Sequence, residues 1–594
     1  MDAADASARE RRHPPAGFPP ARDWWLLRVH AVLLWHAVGS LRGKSKLMMG
    51  VIVLFLAAYL AVAAWVFHEA IMFAERSFLG VGALLIDRMF FMLFAFVGLM
   101  LALSSLVLGY ANAFRSSETE WLHTLPLEPE RIFRWKCLET GILASWASIF
   151  LVTPLLVTFG RLKGAPLSFY PLSLAVLVPF LGLMSLAGCL LGLGIAVLLR
   201  HRGFRVALGA AAAASVLGLM VRLRPMEADS MASGSILPLL DHLLQQTRFV
   251  HAAWLPSSWV SRAILGLSED AGQLARFYGL LLLSWFLAAV NLVWWISRLA
   301  YRLVWQRVQE GRAHAVRPRR ARTGGLAGWP SGARVALRWL PLRRGLRALM
   351  WKDVVSFWRD PAQWMQAGLF FGLLAFYILN LRNVRTDLDQ LFWVCLVGYL
   401  NLVSVGMILA AMLTRFVFPQ FSLEGRRMWI LGLAPVSLPS LMRGKFWLSS
   451  LTAAVVTVAL MGLSSTVLRG GRWLVVMTTA TALVMSFSLT GLAIGLGILY
   501  PTIGRSSHYR GVEDNPARVV SGFGGTFCLV ISMLYVFGVG AMEGFGMYRC
   551  MQAGGALAEP VFFVAIVGMV VGTSLLVGWV PMRLAEEKLS RFEI

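Results

Sequence analysis

The feature that most constrains this chain is a series of apolar runs, each about as long as a membrane is thick. The hydrocarbon core of a bilayer is about 30 Å across and needs roughly 20 apolar residues per crossing helix. Runs of that length recur along the chain, for example "LMMGVIVLFLAAYLAVAAWVF" (47–67) and "VFFVAIVGMVVGTSLLVGWV" (561–580). Only 14% of the 594 residues are charged, against about a quarter in soluble proteins. The sequence therefore predicts an all-α polytopic membrane protein.

The apolar runs between charged breaks predict about twelve transmembrane helices in two groups of six. They are placed at 47–67, 89–111, 138–160, 171–199, 204–222 and 276–297, then at 364–381, 391–414, 446–468, 473–499, 518–541 and 560–580. We assign them to a first half (47–300) and a second half (346–594), joined by a basic linker (301–345). An N-terminal arm with an interfacial helix (1–46) precedes them, and its counterpart before the second group is "RRGLRALMWKDVVSFWRDP" (343–361).

A polar loop that occurs twice suggests that the two halves are parallel repeats. "SSETEWLHTLPLEPERIFRWK" (116–136) and "FSLEGRRMWILGLAPVSLPSLMRGK" (421–445) both interrupt apolar sequence and share the spacing Pro-x7-Arg-x-Lys. Two spans later, Gly-x3-Gly-x-Gly also recurs, and small residues of this kind allow close helix packing. Two matches in the same order indicate a parallel internal repeat. The paired positions are Pro126 and Pro435, Arg134 and Arg443, Lys136 and Lys445, and then Gly188, Gly192 and Gly194 with Gly491, Gly495 and Gly497.

The formal net charge of +25 is concentrated in particular loops. Lys and Arg are enriched before the first span, in the linker and in both polar loops, and such an excess marks the cytoplasmic side. We therefore expect a multi-pass protein of the cytoplasmic (inner) membrane, with both polar loops and both termini in the cytoplasm. Because the charge has this topological explanation, nucleic acid is not an expected partner. The N-terminal residues lack an apolar stretch after their basic residues, so no cleaved signal peptide is expected.

The segments predicted on the outer face differ between the halves. The first half has a long stretch there, about 223–275, which contains "FVHAAWLPSSWVSRAILGL" (249–267). The second half has only "EGFGMYRCMQAGGALAEP" (543–560). The halves are therefore not expected to be equivalent on that face.

Motifs for catalysis or cofactor binding are missing from the sequence. "VGSLRGKS" (38–45) ends like a phosphate-binding loop, but Val38 stands where the first glycine belongs and no parallel-sheet pattern accompanies it. His508, Glu513 and Asp514 do not match the ligand spacing of zinc and are better explained by a helix cap near Pro516. The five cysteines form no CxxC pair. We therefore expect no catalytic residues, metal site or cofactor in this chain, and a protein that is not itself an enzyme.

The predicted spans also lack an evident ion-coupling site. A proton- or sodium-coupled transporter needs ionisable residues facing a cavity in the membrane. The ionisable residues of the spans, Glu139, Arg205 and Arg518, are placed at span ends. The interior polar residues are largely Asn112, Asn291, Gln366 and Asn401, which more often bond helix to helix. If the chain moves a solute uphill, another polypeptide must supply the energy.

Both polar loops resemble the loop after the second span in permease subunits of ABC exporters of the type-two class. The second-half loop is the closer match, and "LYPTIGRSSHYRGVEDNPARVVSGFGG" (499–525) is similar to the stretch before the fifth span of such permeases. The resemblance implies two fused permease halves, short re-entrant helices within 223–275, and a separate ATPase, in two copies, that binds the ATP. It implies docking of that ATPase on loops 115–136 and 415–445, through Ser117, Glu118, Pro126, Arg134 and Lys136 and through Glu424, Pro435, Arg443 and Lys445.

The residues of the first loop fit a docking role. "SETEWLHTL" can offer acidic groups beside Trp121 and Leu122 to a groove, and Pro126 and Pro129 separate this segment from the next helix. Acidic, proline-containing loops can also merely cap spans, however. A non-transporting membrane scaffold or a membrane-embedded enzyme is therefore the alternative. Apart from the ATPase, membrane lipid is the expected partner, and the substrate cannot be read from the sequence.

Overall fold

A computed structural model describes ten stretches of the chain and a few isolated residues between them. The stretches are 46–77, 82–198, 248–269, 271–316, 344–359, 391–424, 437–468, 472–500, 522–552 and 560–591. Several predictions fall outside them: the span at 204–222, most of that at 364–381, the first interfacial helix, "VGSLRGKS", Pro435, and the segment with His508, Glu513 and Asp514.

Within the described residues, ten helices are long and apolar enough to cross a membrane. This confirms the prediction of an all-α polytopic membrane protein. Ten of the twelve predicted spans lie in the described residues. At eight of these, the helix covers the whole predicted range and extends beyond it at one or both ends.

 For the other two, the helix described at 171–199 covers Phe169–Leu198, and that at 518–541 covers Phe523–Gln552.

The described residues form two compact units. The first unit contains the described residues of Met1–Arg200 and Leu244–His314. Its helices are α1 (Lys46–Ser77), α2 (Gly82–Phe114), the short α3 (Ser117–Leu122), α4 (Pro129–Leu162), α5 (Phe169–Leu198), α6 (Pro256–Ser268), α7 (Gly272–Ile296) and α8 (Arg302–Val316).

Two features of the first unit were only partly expected. The outer stretch predicted at 223–275 contains, in its described part, a 3₁₀ turn (Arg248–His251) and α6, which packs against α2, α5 and α7. A π-helical turn (Ser297–Tyr301) joins α7 to α8 without a break. The continuous helix therefore enters the segment predicted as a linker, and the π turn places Tyr301 in the interior, where it is fully buried.

The second unit contains the described residues from Ala315 to Ile594. It begins with α9, which corresponds to the predicted interfacial helix at 343–361 and buries Leu346 and Met350 against Leu441. Its helices are α9 (Arg344–Arg359), α10 (Leu391–Phe416), the short α11 (Gln420–Glu424), α12 (Leu438–Leu468), α13 (Arg472–Leu499), α14 (Phe523–Gln552) and α15 (Pro560–Ser590).

The glycine motifs of the two units lie against different helices. In the first unit, Gly188 of α5 lies on the Ala102 carbonyl oxygen of α2, and a Cβ at Gly192 would be 3.0 Å from the Leu106 carbonyl oxygen. In the second unit, a Cβ at Gly491 of α13 would be 2.7 Å from the Gly578 carbonyl oxygen of α15. Close packing at these positions leaves no room for a side chain.

The remaining glycines of the two motifs also have different neighbours in the two units. Gly495 faces Pro581 of α15, and Gly497 lies on the Phe418 carbonyl oxygen in the turn after α10. At Gly194 a Cβ would have no described atom within 4 Å. The repeated spacing therefore serves helix contact at five positions, with partners that are not repeated.

Candidate functional site

The first polar loop folds into a short helix between two turns. The helix α3 begins directly after α2, and its Thr119 hydroxyl donates a 2.6 Å hydrogen bond to the Asn112 carbonyl oxygen at the end of α2. Pro126 lies in the turn that follows, and Pro129 occupies the first turn of α4, where its missing N–H is harmless. The loop is thus held close to the ends of both neighbouring helices.

A buried lysine joins α3 to α4. Lys136 is only 1% exposed, and its Nζ lies 3.1 Å from Glu118 Oε2 of α3 and 2.8 Å from Glu139 Oε2, one turn further along α4. A charge removed from water in this way is tolerated only when it is paired and hydrogen-bonded. We call Glu118, Lys136 and Glu139 the Lys136 cluster.

The C-terminal end of α3 is held by aromatic side chains. The His123 ring stacks on Trp305 of α8 with 4.2 Å between ring centroids, and its Nε2 lies 3.3 Å from the Tyr301 hydroxyl. That hydroxyl donates to the Ala113 carbonyl oxygen at 3.3 Å. Burial lowers the pKa of His123, which favours the neutral form of the ring. The short helix is therefore bound to α2, α4 and α8.

The second polar loop has a comparable lysine. Lys445 of α12 is 3% exposed, and its Nζ lies 3.0 Å from Glu424 Oε1 at the end of α11 and 2.8 Å from Asp353 Oδ2 of α9. It also lies 5.6 Å from the centroid of the Phe421 ring, within the range of a cation–π contact. The short helix α11 is thus tied to the beginning of α12, as α3 is tied to α4.

A second lysine enlarges this site. Lys352 of α9 lies 2.7 Å from Glu424 Oε1 and 3.2 Å from Asp353 Oδ1. Burial lowers the pKa of Lys352, but the hydrogen bonds and charges of the two carboxylates outweigh this effect and leave the pKa above its ordinary value. We call Lys352, Asp353, Glu424 and Lys445 the Lys445 cluster.

The other predicted docking residues do not meet in either cluster. Ser117 is the first residue of α3, and Arg134 lies on α4, two residues before Lys136. Arg443 is exposed, and its Nη2 lies 3.8 Å from Glu586 Oε1 of α15. The paired lysines thus occupy similar surroundings, while Arg443 lies at the surface beside α15.

Three members of the clusters were not predicted as site residues. Glu139 was assigned to a span end, although its spacing of three residues from Lys136 on a helix was a readable signal. Asp353 and Lys352 lie on another helix, 92 and 72 residues away from the lysine and the glutamate that they bind. Sequence spacing carries no signal for contacts of that kind.

The fold defines a polytopic α-helical membrane protein in which two polar loops are tied to their neighbouring helices by buried lysines. Over residues 42–594 the chain matches the family described as "Putative ATP-binding cassette", and it belongs to that family. Comparison with curated proteins and with solved structures gives no match to this chain.

Proposed function

We propose that this chain is the membrane permease of an ABC exporter, formed by two fused halves and driven by two copies of a separate ATPase. The ATPase docks on loops 115–136 and 415–445, and the substrate is not identified. The observation that carries the proposal is the same in both loops: a buried lysine at the start of a long helix holds the glutamate of the preceding short helix.

This arrangement suits the transmission of force. A partner that pushes or turns α3 acts on α4 through the pair Glu118–Lys136, and a partner on α11 acts on α12 through Glu424–Lys445. Breaking a buried ion pair by removing one member typically costs about 3–5 kcal/mol. The short helix and the following long helix are therefore expected to move together and not independently.

The outward face of α3 provides the contact for the partner. Glu118, Thr119 and Leu122 face the protein, whereas the Trp121 side chain is 55% exposed and lies beside Glu120. An amphipathic short helix of this kind fits a groove, and exposed tryptophans often dominate such interfaces. Glu118 and Glu424, expected from the resemblance to contact the ATPase, act instead within the chain in this proposal.

The family description mentions an ATP-binding cassette, and we assign that activity to a separate subunit. The chain itself carries no complete phosphate-binding loop, since "VGSLRGKS" lacks its first glycine. In this proposal, the ATP binding named in the family description is carried out by the separate ATPase of the transport system. By the distribution of Lys and Arg, the loops and both termini face the cytoplasm from the inner membrane.

The test compares two exposed tryptophans of the first unit. Trp121 lies on α3, and Trp146, which is 52% exposed, lies on the long helix α4. The full chain and its W121A and W146A variants are purified from their native membranes, and ATP hydrolysis by the purified complexes is measured. Loss of an interface tryptophan costs about 2 kcal/mol or more, which is roughly a 30-fold weaker association.

We expect the wild type and W146A to retain ATP hydrolysis and W121A to lose most of it while remaining folded. Equal ATP hydrolysis by W121A and W146A would contradict docking on α3. If the wild-type complex hydrolyses no ATP, the permease proposal fails and the scaffold or embedded enzyme is favoured.

A further inference from the structure

The helix α14 places a carboxyl group among the long helices of the second unit. The sequence predicts a span that ends at 541, but α14 continues to Gln552. Glu543 therefore lies about nine residues, or roughly 13 Å, before the end of the helix, and it is 8% exposed. Residues 543–552 of the segment predicted on the outer face are therefore helical, and Gly544 and Gly546 allow neighbouring helices to approach.

Two neighbouring helices, α10 and α13, pack around Glu543 of α14. The Thr481 hydroxyl of α13 hydrogen-bonds its carboxyl group. On the next residue, a Cβ at Gly544 would lie 3.2 Å from the Tyr399 ring of α10, and Gly540, one turn earlier, is covered by Val403 of α10. The carboxyl group therefore faces the interior of the unit and not lipid.

No cation balances the carboxyl group among the described residues. Its Oε2 is buried without a hydrogen-bond partner there. On α14 itself, Arg549 lies over the rings of Phe545 and Phe562 at 5.9 and 5.8 Å. The neighbouring helices bring Tyr399 from α10 to this level, while Arg472 begins α13 about 13 Å along the helix axis from Thr481.

The charged groups of the other neighbouring helices lie at the opposite end of the unit. Arg415 is close to the end of α10, and Lys588 of α15 donates to the Ile498 and Leu499 carbonyl oxygens at the end of α13. Along α10, Tyr399 and Arg415 are separated by about 24 Å. A carboxylate at Glu543 would thus be far from these cations.

The contrast with Glu424 shows what this means for the proton. Glu424 is also largely buried, but two lysines lie within 3.0 Å of its Oε1. A carboxylate buried without such a partner is strongly disfavoured, whereas the neutral acid only has to satisfy a hydroxyl and a carbonyl group. Ionisable groups in membrane helices are costly and commonly functional for this reason.

We propose that Glu543 is a reversible protonation site inside the second unit. In the closed unit the group is a neutral acid bound to Thr481, and it releases its proton to water when a rearrangement of α10, α13 and α14 opens the site. The proton is the ligand, and no other reactant is needed. This site lies outside both lysine clusters and does not depend on an ATPase.

Labelling with dicyclohexylcarbodiimide tests the proposal. A protonated carboxyl group transfers its proton to a nitrogen of the reagent, and its oxygen bonds to the central carbon; the adduct then rearranges to a stable N-acylurea. The full chain in lipid vesicles is treated from about pH 5 to about pH 9, and its peptides are analysed by mass spectrometry. We expect an adduct at Glu543 that declines as the pH rises, and none at Glu424 or in the E543Q variant.

Thermal unfolding of the wild type and E543Q over the same pH range decides the matter if the reagent cannot reach the site. Glutamine mimics the neutral acid, so both proteins should melt at similar temperatures at low pH. As the pH rises, the wild type should lose melting temperature relative to E543Q, because deprotonation leaves an unpaired buried charge. A difference that stays constant with pH overturns the proposal, whatever the labelling shows.

Discussion

The Lys136 and Lys445 clusters both bind the glutamate of a short helix to a buried lysine, but their other residues come from different places in the chain. Lys136 binds two carboxylates that lie close to it in the chain, Glu118 and Glu139. Lys445 binds one carboxylate from its own loop and one from α9, 92 residues earlier. The two clusters share the lysine and the glutamate of the short helix, whereas the second carboxylate comes from α4 itself in the first unit and from α9 in the second.

The clusters also differ in how many cations they contain. The Lys136 cluster has one lysine for its two carboxylates, while Lys352 gives the Lys445 cluster a second. When the central lysine is lost, the first cluster keeps no cation of its own. The second still has Lys352 beside both carboxylates.

The largest expected effect follows from this difference. K136M leaves two carboxylates of a buried cluster without their lysine, so we expect it to lower the free energy of unfolding by about 3–5 kcal/mol. K445M should cost less, about 1–3 kcal/mol, because Lys352 remains. The measurement is the thermal unfolding of each purified variant in detergent.

R443M is the matched control for both substitutions. Arg443 is exposed, and its ion pair with Glu586 is long at 3.8 Å. Its loss should therefore change stability by less than about 1 kcal/mol. If K136M were as stable as R443M, the Lys136 cluster would not hold α3 to α4. If K445M were the less stable of the two lysine variants, the compensating role of Lys352 would be wrong.

A medium effect is expected where the glycine motifs of the two units diverge. G188A forces a methyl group onto the backbone of α2, and G491A forces one onto the backbone of α15. Overpacking of this kind typically costs about 1–3 kcal/mol. G194A, with no described atom within 4 Å of the added Cβ, should be close to neutral. Equal melting temperatures for G188A and G194A would contradict the close contact of α2 with α5.

The smallest effect concerns the pH dependence of Lys352. Its pKa is raised in the folded protein, so the stability that it contributes is present below the unfolded pKa of about 10.4 and is lost as the pH rises through the folded value. Because the side chain is half exposed, we expect this contribution to stay below about 1 kcal/mol.

The free energies of unfolding of the wild type and K352M, plotted against pH, should therefore differ by a small, constant amount between about pH 6 and about pH 9. Above about pH 10.4 the two curves should converge. A difference that grows with rising pH would show that Lys352 is not stabilised in its charged form. The same series on K136M serves as a reference with a much larger difference.

Much of the fold could be read from the sequence because membrane helices are marked by the length of their apolar runs. The ends of helices were less accurate: α14 extends past Glu543, since glycines that signal a loop in water also serve helix packing in a membrane. The lysines of the site were found from their shared spacing. Glu118 and Glu424 were named from the resemblance as contacts of an ATPase, and only the structure pairs them with these lysines.

The sequence by itself determined the class of the protein, the positions of most long helices and the paired placement of Lys136 and Lys445, because these depend on local hydrophobicity and spacing. Only the tertiary structure decided that Glu118 and Glu424 face inward, that Asp353 completes one cluster, and that Glu543 is enclosed without a cation. Burial and ion pairing arise from contacts between helices distant in the chain, and no local pattern encodes them.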